Sequence, residues 1–154
     1  MVTIRTVENI KLGSKITFAN GIYAILLGFA YIFFFREIMR INFRHVNTTW
    51  GFFEKYNPAI SSMFLRFFIL IGLIIIAVGA SIIYLSAIIH RKKEKDMWVV
   101  LFTIGIIFWT GLLTIEVLNL NIYTIFLSFL GWLSFIIGMI IPIKYYIEKP
   151  YDSY

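Results

Sequence analysis

Polar and apolar positions along this chain are sorted into long blocks and do not alternate with a short period. Residues 16–35, 67–89, 97–115 and 122–143 contain no Asp, Glu, Lys, Arg or His. A helix rises about 1.5 Å per residue, so roughly 20 apolar residues cover a hydrocarbon core of about 30 Å. Each block is near that length. A closed barrel also satisfies every backbone group in lipid, but it reads as short alternating segments. The pattern therefore predicts an all-α, polytopic integral membrane protein. Its four transmembrane helices lie at about 16–35, 62–89, 97–118 and 122–143, in a single membrane domain covering 1–154.

The intervals between blocks carry their own signals. Asn57-Pro58 suits a helix start, with Asn as the cap and Pro at the first helical position. Asn119 and Asn121 supply turn chemistry between the third and fourth blocks, and so short a connection makes those helices antiparallel neighbours. Pro142 bends or loosens the exit of the fourth. The sizeable loop, residues 36–57, mixes charges with Ile38, Ile41, Phe43, Val46, Trp50, Phe52, Phe53 and Tyr56. So many large apolar groups predict a segment lying along the membrane face or capping the bundle, with Trp50, Phe52 and Phe53 mostly buried by lipid, protein or a partner. Ile38, Ile41 and Val46 share a face at helical spacing, which fits a short interfacial helix or an extension of the first span.

Lipid gives helices little hydrophobic reason to associate, so close contacts are expected to run through small residues. The first span offers Gly21, Ala24 and Gly28, the second Gly72, Gly79 and Ser86, and the fourth Ser128, Gly131, Ser134 and Gly138. These mark the expected packing faces, within the chain or between copies.

Composition closes off other classes. With 60% hydrophobic and 14% charged residues, against about 45–50% and about 25% in soluble domains, no room remains for a soluble domain. The absence of cysteine excludes disulfides, thiolate metal sites and dithiol redox chemistry. The net charge of +6 sits at the block edges, which points to anionic headgroups and topology and not to nucleic acid. Nine Lys and Arg fall on the side of the two tails and the HRKKEKD connection, against five on the other, so both termini are expected in the cytoplasm. The first block is read as a retained span, because Arg36 and Glu37 follow it with no small-residue cleavage site.

Little catalytic chemistry accompanies the spans. Glu116 borders a span that is otherwise uncharged, at the level where Arg66 enters the second block and Arg36 and Arg40 leave the first. The expectation is a carboxylate–guanidinium contact there, structural or as an ion or proton site. Asn20 is expected to hydrogen-bond between helices, and Thr103, Thr110 and Thr114 back to their own helix. His45 and His90 fall on opposite sides, so no bis-histidine haem, other cofactor or metal site is expected. Asn47-Thr48-Thr49 matches a glycosylation acceptor. Short tails and abundant apolar surface lead to the expectation of a non-catalytic subunit of a larger membrane complex, in the plasma membrane. Its partners would be lipids and other subunits or further copies. The alternative is a small homo-oligomeric transporter or channel using Glu116 and the outer arginines.

Overall fold

The computed structural model describes residues 4–43 and 49–148. Within them are seven helices and no strand: α1 (Ile4–Phe33), α2 (Phe35–Asn42), α3 (Trp50–Tyr56), α4 (Pro58–Lys92), α5 (Lys95–Leu118), α6 (Ile122–Ile140) and α7 (Ile143–Glu148). Four of these, α1, α4, α5 and α6, are long and apolar enough to cross a membrane. They form an up-and-down ring in which α1 packs on α4 and α6, and α5 closes the ring against both of them.

The boundaries differ from the apolar blocks for local reasons. Helix α1 starts well before residue 16, because Glu8, Lys11 and Lys15 point out while Ile10, Gly13 and Ser14 are buried. Amphipathic turns thus prolong an apolar span. Helix α4 begins at Pro58, but the Asn57 side chain makes no capping bond. It ends with Lys93 in the left-handed conformation (φ 56°). The α5–α6 turn places Leu120, and neither asparagine, at positive φ (52°). Asn121 instead caps α6, accepting from the amides of Tyr123 (3.2 Å) and Thr124 (3.5 Å). Helix α6 stops at Ile140, short of residue 143, because a proline at 142 has no N–H and crowds the carbonyl four residues back.

The α1–α4 seam follows one rule. Ser14 faces Ser86, Gly21 faces Gly79, and Gly28 faces Gly72, so each pair of numbers adds to 100 and successive pairs are seven residues apart. A seven-residue repeat keeps one stripe on the partner as two helices supercoil. The fit is close: a Cβ at Gly28 would lie 2.7 Å from the Gly72 carbonyl oxygen, and one at Gly79 2.8 Å from that of Gly21. Across α5–α6 the fit is ring into notch. Phe135 fills the space beside Gly105, and the Trp109 indole fills that beside Gly131. Gly13 meets Gly138 and Pro142 across α1–α6.

At the end of the bundle formed by the α1 C-terminus and the α4 N-terminus, α2 and α3 build a second, aromatic core. Phe35, Met39 and Trp50 are buried against Phe43, Phe53, Phe64 and Phe68. The buried face of α2 is thus Phe35 and Met39, whereas Ile38 and Ile41 are only half-buried. Trp50 is enclosed and Phe53 half so within the chain, and Phe52 is 55% exposed, which leaves its expected cover to lipid or a partner. Val46 lies outside the described residues. At the opposite end Tyr146 of α7 is enclosed and stacks on Trp98 (5.4 Å between centroids), and burial pushes its phenol pKa up.

Candidate functional site

Helix α5 buries Trp98, Leu101, Gly105, Trp109, Leu112 and Glu116, a stripe advancing by three or four residues. Glu116 therefore points inward as the last member of the stripe, and only 3% of it is exposed. Tyr31 stands at the same level on the buried face of α1, and Thr124 in the first turn of α6. The Tyr31 hydroxyl donates to Glu116 Oε1 and the Thr124 hydroxyl to Oε2. Three helices thus converge on one carboxyl group, each of its oxygens having its own donor. The network continues outward: the Thr124 hydroxyl oxygen is 3.1 Å from the Asn121 carbonyl, and Asn121 Nδ2 donates to Asn42 Oδ1 (3.0 Å). Helix α2 is thereby tied to the α5–α6 turn. On its other side Tyr31 stacks on Phe68, whose ring meets Phe35 edge-on.

The expected guanidinium partners stand elsewhere. Arg36 pairs with Glu54 (3.4 Å) and Arg40 with Glu37 (3.0 Å), all at the surface. Arg66 is exposed and has no ionic partner among the described residues. The carboxylate–guanidinium contact expected for Glu116 is therefore replaced by two hydroxyls. After the bend at Phe34, between α1 and α2, Phe35 and Met39 take the buried face and Arg36 and Arg40 are turned out, while Arg66 lies on an exposed face of α4. Depth along a helix, read from sequence, gave the level of Glu116 but not its direction.

Two further polar clusters pin the interior. Asn20, buried on α1, donates through Nδ2 to the Gly131 carbonyl (2.7 Å) and to Ser134 Oγ (2.8 Å). Its Oδ1 accepts from Trp109 Nε1 (3.0 Å), so one amide joins α1, α5 and α6. Trp109 is therefore a fully enclosed core group. Nearer the basic end, Ser14 Oγ lies 2.8 Å from the Ser86 carbonyl, Ser86 Oγ 2.7 Å from the Ser14 carbonyl, and Thr17 Oγ1 2.9 Å from Ser86 Oγ. Ser14, Thr17 and Tyr31 were not singled out from sequence. Their spacing from Asn20 on a single face of α1 is the signal that carries them.

Of the small residues, Gly21, Ala24, Gly28, Gly72, Gly79, Ser86, Gly131 and Gly138 are buried and Ser134 is half-buried. Thr103, Thr110 and Thr114 are exposed, and Thr114 donates to the Thr110 carbonyl (2.8 Å). Asn47 and His45 lie outside the described residues. Among the described residues no three His, Asp or Glu side chains gather into a group that could hold a metal ion.

Fold and site together define a four-helix bundle of membrane-spanning length, with a carboxyl group enclosed by hydroxyl donors. No family model, curated protein or solved structure matches the chain.

Proposed function

We propose that this protein is a small non-catalytic subunit of a larger integral membrane complex, and that it packs into the complex and stabilises it through its transmembrane helices. The observation that carries this reading is the two-sided character of α4. One face is locked to α1 by the Gly72 and Gly79 contacts. The other presents Phe67, Leu70 and Ile74, each about half exposed. A long helix with one fixed and one free apolar face is suited to a neighbour that brings its own small residues. The interior favours a structural role as well, since Trp109, Phe135 and Ile82 fill it without exposure. Both termini are proposed to be cytoplasmic on the distribution of Lys and Arg, and the plasma membrane is proposed as the home of the complex.

Gentle solubilisation of native membranes and identification of what migrates with the chain tests the assignment. Stable unlike membrane proteins are expected; a homomer alone would overturn it. Orientation is checked separately with single cysteines at Lys55 and Asp96, both exposed. In intact cells an impermeant thiol reagent should label the first and spare the second, and the reverse pattern would invert the topology.

A second reading is a homo-oligomeric transporter or channel that uses Glu116 with Arg36, Arg40 and Arg66. It is favoured by one observation, a buried carboxyl group with no basic side chain among its partners. It requires that Glu116→Gln remove an ion-dependent flux while the bundle stays folded.

A further inference from the structure

Where α1 bends into α2, a cleft of about 780 Å³ opens between that bend and the first turns of α4. Its lining combines the apolar residues Ile32, Phe33, Phe34 and Leu65 with the polar residues Arg36, Glu37, Glu54 and Ser61. The volume falls in the range of about 300–1,000 Å³ typical of small-ligand sites. We infer that this cleft binds the headgroup of a zwitterionic phospholipid, one whose phosphodiester carries a terminal ammonium, with its chains laid along the Phe33–Leu65 side. This goes beyond the subunit reading and does not depend on it.

Four features select that chemistry. First, the cleft's charges come as opposite pairs. Arg36 Nη2 is 3.4 Å from Glu54 Oε1, with the Arg36 side chain largely in the open and that of Glu54 partly so, and Glu37 is held by Arg40 at 3.0 Å. A surface pair of this kind contributes little and re-partners readily. A zwitterion inserted between Arg36 and Glu54 gives phosphate to the first and ammonium to the second, leaving neither unpaired. A lone anion would strand Glu54, and a lone cation would strand Arg36. Second, Ser61 lines the cleft, is only 6% exposed, and its hydroxyl has no hydrogen-bond partner among the described residues. That hydroxyl is free to donate to an acceptor in the cleft. Its neighbour Ser62 is already satisfied by the Ala59 carbonyl at 2.8 Å. Third, the same end of α4 carries neither a capping side-chain bond from Asn57 nor an acidic residue in its first turn, so the helix dipole favours an anion there. Fourth, the cleft lies where the apolar run of α1 ends and charged residues begin, which is the level of a headgroup beside its own chains.

The test uses the full chain in detergent and native mass spectrometry, with equimolar phosphoethanolamine lipid, phosphoglycerol lipid and diacylglycerol competing for it. The phosphoethanolamine lipid should be retained at least about tenfold over the other two, the size expected when a charge-assisted contact is gained or lost. Arg36→Gln and Glu54→Gln should each cut that preference about tenfold and Ser61→Ala about threefold, while Lys92→Gln, at the other end of α4, leaves it unchanged. Equal retention of all three lipids, or a preference for the anionic one, overturns the proposal. So does equal protection by water-soluble phosphoethanolamine, which would make the ligand a free metabolite and not a lipid. Should a variant fail to fold, the competition on the unmodified chain still decides.

Discussion

A carboxyl group taken out of water needs donors, and at Glu116 these come from Tyr31 and Thr124 and not from an arginine. Neutral donors bring no second charge that must also be desolvated, which is the large cost of a buried ion pair. The consequence is a testable scale. Tyr31→Phe removes one donor without changing the ring that stacks on Phe68, and should cost about 1 kcal/mol, toward the upper part of the range measured for hydrogen bonds between membrane helices. Glu116→Leu leaves the buried Tyr31 hydroxyl without an acceptor and the Thr124 hydroxyl with only the Asn121 carbonyl, and should cost more, about 2–3 kcal/mol. Equilibrium unfolding in mild detergent measures both. Equal losses for the two variants would mean that the hydroxyls find other partners and that the network is not the anchor described. Glu116→Gln keeps one acceptor and should fall near the tyrosine variant, with assembly weakened modestly. If it removed an ion flux from a fully folded protein, the transport reading would replace the structural one.

At the level of elements, the α1–α4 seam rests on what is missing from the helices: side chains at Gly21, Gly28, Gly72 and Gly79. Adding bulk there meets backbone, which cannot swing aside as the end of a side chain can. Gly28→Val should therefore destabilise by about 3 kcal/mol or more, at the upper end of overpacking costs. Gly111 makes the contrast, because a Cβ built on it meets nothing within 4 Å. Gly111→Ala should stabilise α5 by up to about 1 kcal/mol through helix propensity alone. Thermal unfolding followed by helical circular dichroism should separate the two variants clearly, and similar behaviour would refute the tight seam. The four long helices were legible in the sequence because an uncharged block of membrane length has few other uses. The seven-residue spacing of Gly72, Gly79 and Ser86 was legible as well. Their partners were not, since pairing 14 with 86 needs the antiparallel register that only the fold supplies. Glu116 shows the same limit: its place at the end of the stripe from Trp98 to Leu112 was present in the sequence, but a basic residue at similar depth offered an equally reasonable partner. The bend at Phe34 decided between them, and no glycine or proline announces it.

Across the whole molecule, three polar clusters lie inside the ring: Ser14, Thr17 and Ser86 at the basic end, Asn20 with Trp109 in the middle, and Tyr31, Glu116 and Thr124 beneath the aromatic cap. Each contact contributes roughly 0.6–2 kcal/mol at most, so shape holds the helices together and the polar groups set their register. A bundle fixed on the inside in this way leaves its outer faces for recognition, and α4 has the longest. The most direct measurement of that claim is site-specific photocrosslinking in native membranes, with a photoreactive side chain at Leu70 or Ile74 on the free face of α4. The account predicts a discrete adduct with an unlike membrane protein from both positions, and none from Trp109 in the enclosed core. Adducts with lipid alone, or only with a second copy of this chain, would contradict it.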